Sequence, residues 1–416
     1  MNRTRRTAVA SLVTLALTLP LAGAAPAWAN DSAAPSPVPA LPLVPESASA
    51  AAPVPVQEKA GQERLELPRP TGRYAVGAKT LSLTDTERTD PWVPESGDRR
   101  LLVDLRYPAR PGGGPRTPYI TVEEAQGLLE RTSTHLLIPK GNAELLAATR
   151  THAREGARPA KGKFPLVVLS PGFTLPRTTL GLLAEELASR GYVVASVDHP
   201  YESEATAFPG EGVLPCAACR KVQNDEVPIR AVPEGRSRDV SFLLDRLTGR
   251  EPVWRHAKMI DRKRVGMAGH SIGGNTASRV MEEDRRVRAG VNMDGGFFAP
   301  VPEDGLDGRP FMMLGSEDAA PGGAFTNWDS TWPRLDGWKR WLTVTGGHHF
   351  SFLDGPALAD QVEGAPVYPG VPSGERSAAI TRTYVGAFFD RHLKGLKRPV
   401  LDGPSQGNPE VVFHRP

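Results

Sequence analysis

In this 416-residue chain the first residue whose surroundings suit chemistry is a serine, Ser271. It sits in Val265-Gly-Met-Ala-Gly-His-Ser-Ile-Gly-Gly274, with Gly269 two residues before it and Gly273 two after. A serine hydroxyl is a weak nucleophile that needs a base within hydrogen-bond reach. It also needs a backbone that projects it outward. The pattern G-x-S-x-G supplies that projection, because small residues on both sides let a strand double back into a helix with the serine at the tip. The pattern alone is common in a chain holding 42 glycines. Here a β-type apolar run precedes it and a helix-compatible run, 275–283, follows, so the context of a nucleophile elbow is complete.

The base for such a serine is normally a histidine held by a carboxylate, and at an elbow the parts follow in chain order serine, acid, histidine. Downstream of Ser271 stand His348, His349, His392 and His414. His392 falls in a predicted closing helix and His414 two residues from the end, so both are poorly placed. The loop Thr345-Gly-Gly-His-His-Phe-Ser-Phe-Leu-Asp354, after the last expected parallel strand, is where the base belongs. His349 is the choice, with His348 as the alternative. His270, beside the nucleophile, should point away from it and reads as structural. Two carboxylates compete for the acid, Asp294 after Gly-Val-Asn-Met293 and Asp318 in Leu314-Gly-Ser-Glu-Asp318. Both stand at C-terminal ends of expected strands, where sites of open parallel sheets gather, and spacing does not separate them.

The elements that must carry these groups are regular from residue 164 onward. Phe164-Pro-Leu-Val-Val-Leu169 and Tyr192-Val-Val-Ala-Ser-Val197 are continuous apolar runs, as strands buried on both faces require. Further short strands are expected over 264–268, 289–293, 310–314 and 341–345, with helices over 179–189, 236–247 and 377–393 between and after them. Strand alternating with helix predicts a mostly parallel sheet with helices on both faces. Ahead of it, 101–107 reads as a strand with a partner over 79–83. Residues 117–163 break the rhythm. Helical spacing over 123–131 and 143–154 predicts an insertion, which is either a lid or an ordinary helical layer packed on the sheet.

The ends and the composition narrow the class further. Met-Asn-Arg-Thr-Arg-Arg, an apolar run over 8–23 and Ala27-Trp28-Ala29 make a signal peptide cleaved after Ala29, which predicts export. Residues 30–73 are rich in Ala, Pro, Ser and Val without period and predict an unpacked leader. About 340 of the 416 residues remain, enough for one large α/β domain. A net charge of +3 with mixed signs gives no nucleic-acid stripe and no polybasic membrane patch. The only cysteines, Cys216 and Cys219, lack the second pair a zinc site would want, and in an exported chain they predict a local disulfide. No metal or organic cofactor is implied.

At this point a family resemblance becomes specific. The chain from about residue 75 onward resembles the secreted platelet-activating factor acetylhydrolases, and less closely bacterial lipases and polyester-cleaving cutinases. The resemblance rests on Phe164-Pro-Leu-Val-Val-Leu-Ser-Pro-Gly-Phe173, Arg177-Thr178, Ala188-Ser-Arg-Gly191 and Val197-Asp-His199. It extends through Gly-His-Ser-Ile-Gly-Gly274, the Asp294-Gly pair and His349-x-Ser-Phe-x-Asp354. It implies an α/β-hydrolase fold and a serine esterase acting on short-acyl or (phospho)lipid esters through Ser271, Asp294 and His349. It favours Asp294 over Asp318 and His349 over His348. It also implies an oxyanion hole from the backbone N–H groups of Phe173 and Ile272. Pro171 stands where the family usually has histidine, which touches the substrate more than the chemistry. A monomer is expected, with at most transient contact to a lipid interface. The other class of reading is a non-catalytic secreted binding protein on the same fold, and turnover above a Ser271→Ala control would separate the two.

Overall fold

The computed structural model describes residues 64–131, 138, 140–323, 327–363 and 370–415. The expected signal peptide, and the leader up to residue 63, lie outside the described residues. Two long strands, β1 (Ala75–Thr89) and β2 (Asp98–Ala109), form an antiparallel pair. After them come β3 (Arg116–Pro118), α1 (Val122–Arg131), α2 (Ala143–Ala147) and β4 (Arg150–Glu155). Then β5 (Phe164–Ser170), α3 (Gly181–Ser189) and β6 (Val193–Asp198) begin the parallel part. A small ribbon, β7 (Ala207–Phe208) with β8 (Gly212–Val213), precedes α4 (Ala217–Gln223) and α5 (Ala231–Thr248).

The second half runs β9 (Ile260–His270), α6 (Ile272–Glu283), β10 (Val287–Met293), β11 (Phe311–Gly315), α7 (Trp328–Thr331) and β12 (Lys339–Val344). It closes with α8 (Asp354–Ala359), α9 (Gly374–Lys394) and β13 (Val411–His414). Eleven strands join one sheet in the order β13-β12-β11-β10-β9-β5-β6-β2-β1-β4-β3. From β12 to β6 every neighbouring pair is parallel. β2 and β13 flank that block antiparallel.

Both faces of the sheet are covered, and the strands show it residue by residue. Along β5, Val167 and Leu169 face the cluster built with Leu183, Leu187, Tyr384 and Phe388 of α3 and α9. Leu166 and Val168 face the opposite cluster with Leu243 and Val280 of α5 and α6. A strand buried on both faces cannot alternate apolar with polar, which is why 164–169 reads as an unbroken apolar run. Burying each such Leu or Val contributes about 1.5–3 kcal/mol relative to leaving it exposed.

Three expectations change. The helix expected over 143–154 is only α2, and Arg150–Glu155 is a strand with Thr151 and Ala153 inward. Period two over six residues outweighs a helical spacing carried by Leu145 and Leu146 alone. The insertion is therefore mixed, with β4 beside β1 at the sheet's edge. Residues 64–73, assigned to the leader by composition, are packed: Leu65 and Leu67 are buried, and Thr71 donates from N and Oγ1 to Glu186. β13, not expected from the sequence, pairs with β12.

Candidate active site

Every candidate group arrives at the C-terminal edge of the parallel strands. β9 ends at His270, and the chain turns at Ser271, whose φ of 54° and ψ of −127° lie outside the regions a non-glycine residue favours. Such a conformation persists only where the surroundings impose it. A Cβ on Gly269 would lie 2.1 Å from the Gly273 carbonyl carbon, and one on Gly273 would lie 2.1 Å from the Ser170 oxygen. Small residues at these two places let β9, α6 and the loop after β5 close on one another. The Ser271 N–H donates to the Met293 carbonyl at 2.8 Å, which ties the turn to the end of β10.

Asp294 follows β10, also with positive φ, 56°. Its Oδ2 lies 2.7 Å from His349 Nδ1. Its Oδ1 accepts from Ser316 N at 2.6 Å and Ser316 Oγ at 2.9 Å. Burial pushes this carboxyl up, but the hydrogen bond and charge of His349 and the Ser316 donors outweigh it. The result is a carboxyl below its ordinary range, hence an anion at neutral pH. Asp318 is exposed on the segment after β11. Of the two carboxylates that spacing left open, Asp294 is the one the structure brings to His349. His348 is occupied otherwise, its Nδ1 accepting from Phe350 N at 3.2 Å.

His270 is fully buried and holds the histidine loop to the elbow. Its Nε2 lies 2.7 Å from the His349 carbonyl, and the two rings are 4.6 Å apart. Opposite a carbonyl that nitrogen must carry the proton. Burial, and then the neighbouring His349, push its imidazole down to about 3. It is therefore neutral at neutral pH, and its contact joins the elbow to the histidine loop. Ile272 is the first residue of α6, where a helix leaves its N–H groups without carbonyl partners. Phe173 lies in the loop after β5. Among the described residues neither N–H donates to a protein backbone carbonyl. Cys216 and Cys219 form a disulfide at the start of α4.

Several supporting residues escape sequence reasoning. Ser316 sits in a segment singled out only for Asp318. Asn292 bonds both the N–H and the carbonyl of Gly295, and Trp328 Nε1 donates to the same carbonyl, so the Asp294 turn is braced on three sides. Beneath the β5 loop lies a buried network of Arg99, Arg236, Glu202, Asp239, Asp90 and His199. No local pattern announces it, because its members come from three separate stretches of chain, 90–99, 199–202 and 236–239. A cleft of about 830 Å³ between Arg73, Lys163, Arg190 and Lys394 lies at the other end of the strands and contains none of the groups named above.

A mostly parallel, doubly covered sheet with a serine at a strand–turn–helix defines an α/β-hydrolase. Comparison with known proteins agrees. The family profile described as platelet-activating factor acetylhydrolase, isoform II, matches residues 59–233. A ferulic acid esterase from Streptomyces cinnamoneus superposes with a TM-score of 0.74 at 43% identity, over 84% of this chain and 99% of that one. A probable 1-alkyl-2-acetylglycerophosphocholine esterase from Arthroderma benhamiae is 27% identical over 83% of this chain and 93% of its own. A platelet-activating factor acetylhydrolase from Cavia porcellus is 27% identical over 69% of each chain. The chain belongs to the platelet-activating factor acetylhydrolase-like family of α/β-hydrolases, and it is a carboxylic ester hydrolase.

Proposed function

We propose that the protein is a secreted serine esterase in which Ser271, His349 and Asp294 form the catalytic triad. The observation that carries this reading is the 2.7 Å contact between His349 Nδ1 and Asp294 Oδ2, beside an elbow whose serine holds a positive φ. Ser271 Oγ attacks the ester carbonyl while its proton passes to His349 Nε2, and Asp294 stabilises the imidazolium. The N–H groups of Phe173 and Ile272 receive the developing oxyanion, a term worth roughly 2.7–4 kcal/mol per donor. Collapse releases the alcohol, which takes the proton back from His349. Water, activated by the same imidazole, then frees the acid and restores Ser271. A fluorophosphonate probe should give one covalent adduct, on Ser271. Folded protein that stays unlabelled there overturns the triad.

Two substrate classes compete. Short-acyl and phospholipid esters follow from the named acetylhydrolase relatives. Esters of aromatic acids are favoured by the higher identity to the Streptomyces esterase over nearly that whole chain. Comparing kcat/KM for a 2-acetyl phospholipid with that for methyl ferulate decides between them. The basic, apolar and A-x-A segments over 1–29 support export. Mature protein recovered from culture medium should begin at Asn30, and retention of the whole chain inside cells would remove this part of the proposal.

A further inference from the structure

The loop from Ser170 to Phe173 brings one oxyanion donor to the site, and its two central peptides are held from opposite sides. The Gly172 carbonyl accepts from Leu175 N at 3.3 Å. In a trans peptide the carbonyl and the following N–H point opposite ways, so this contact directs the Phe173 N–H away from Leu175. The Pro171 carbonyl accepts from Arg236 Nη1 at 2.6 Å, and the same nitrogen reaches Ser170 Oγ at 3.2 Å. Arg236 is 1% exposed. Its Nε donates to Glu202 Oε2 at 2.6 Å, so the guanidinium is fixed in plane. The Glu202 backbone carbonyl also accepts from Thr174 N at 2.9 Å, at the far end of the loop. From the other side His199 Nε2 lies 3.1 Å from Ser170 Oγ, and His199 Nδ1 lies 2.8 Å from Asp239 Oδ2.

Between the two held peptides stands Gly172, the residue with the greatest freedom to rotate. If the Pro171 carbonyl is released, nothing in the side chain of residue 172 opposes a rotation that would turn the Phe173 N–H out of the site. A surface loop with that task would be held by solvent or by packing. A buried arginine with charged partners is a costly alternative that fixes direction, because its planar fork admits few orientations.

We propose that Arg236 is a positioning residue for the oxyanion hole, fixing the Pro171 peptide and through it the Phe173 N–H, with Ser170, His199 and Glu202 as its supports. The proposal rests on the reading of Phe173 as an oxyanion donor. Its signature is selective: loss of Arg236 weakens the tetrahedral state more than the bound ester.

The test compares wild type with Arg236→Lys, Arg236→Met and the milder Ser170→Ala, using p-nitrophenyl acetate and a trifluoromethyl ketone that adds to the serine as an oxyanion-bearing hemiketal. Arg236→Lys keeps a charge but lacks the planar fork that serves Glu202 from Nε and Pro171 from Nη1. In the arginine variants kcat should fall on the order of 10²-fold with KM within about threefold, and the ketone Ki should rise in proportion to the loss in kcat. Ser170→Ala should show the same split at roughly tenfold. A merely structural role would lower the amount of folded enzyme without moving the ketone Ki of what remains. Folded variants with unchanged kcat, or a kcat loss with an unchanged ketone Ki, overturn the proposal. If Arg236→Met does not fold, Arg236→Lys and Ser170→Ala decide the matter by the same two readings. Wild type that takes no label on Ser271 would overturn the serine reading itself, a result separate from any of these.

Discussion

Replacing Asp294 by Asn tests the centre of the site with little change in shape. The Asn carbonyl oxygen can keep both Ser316 donors, which now reach Oδ1 at 2.6 and 2.9 Å. Its amide nitrogen then faces His349 Nδ1, where the carboxylate oxygen stood at 2.7 Å. Two donors cannot share that contact. The imidazole answers by moving its proton to Nε2, the nitrogen that has to accept from Ser271. The variant is therefore expected to fold and to hold the wrong tautomer. By analogy with other Ser-His-Asp triads, kcat should fall about 10⁴-fold, or roughly 5 kcal/mol of transition-state stabilisation. Asp318→Asn, at an exposed side chain, should stay within roughly twofold of wild type. Steady-state hydrolysis of p-nitrophenyl acetate gives kcat, and circular dichroism reports the fold. Because the Asp294 carboxyl lies below its ordinary range in the folded protein, it adds stability above its unfolded pKa and loses it as pH falls toward the folded value. Asp294→Asn should accordingly flatten the acid side of the melting curve. The reasoning fails if Asp294→Asn keeps more than a tenth of wild-type kcat, or if Asp318→Asn is the crippled variant.

Two further perturbations test the frame around the site. Asp354 is buried beside the Tyr119 hydroxyl at the start of α3, accepting from Leu182 N at 3.2 and 3.1 Å, and burial raises its carboxyl well above the carboxylate range. A folded pKa above the unfolded one gives stability that is complete below the unfolded pKa and is lost as pH rises toward the folded one. Asp354→Asn should therefore melt higher relative to wild type at ~pH 8 than at ~pH 4, and an advantage that shrinks with rising pH would refute this. Removing the Cys216–Cys219 bond by Cys216→Ser with Cys219→Ser releases a loop of only three residues' separation. The chain-entropy model gives about 2 kcal/mol for it. Urea unfolding of the two forms measures the loss, and no change in midpoint would show that the bond does not constrain the unfolded chain.

Much of this is legible in the sequence because the parallel core writes itself plainly. Strands buried on both faces must be apolar throughout, so 164–169 and 192–197 announce themselves, and the elbow needs glycines that sequence displays. Strand ends place Ser271, Asp294 and His349 within a few residues. Spacing could not choose between Asp294 and Asp318, since that depends on which side of the strand end the carboxylate falls. Ser316 accounts for the choice only in three dimensions. β4 is concealed because the helical spacing of Leu145 and Leu146, which belongs to the short α2, reads on into the alternation at Thr151 and Ala153. The packed segment 64–73 is hidden because its two prolines continue those of the leader, while Leu65 and Leu67 are too short a pattern to announce a strand. Arg236 and Glu202 carry no local signal, since an ion pair 34 residues apart has no period.

The sheet order also bears on when the enzyme can begin to work during synthesis. Ser271, Asp294 and His349 leave the ribosome in that order, yet α9 and β13 come after all three. Until they emerge, the apolar face that Tyr384, Phe388 and Phe389 cover is open, and β12, which leads to the histidine loop, is an unpaired edge. A nascent chain can thus carry all three reactive side chains while the support of one is missing. A chain cut before α9 is therefore expected to leave the strand under the histidine loop without the packing and pairing it has in the folded protein.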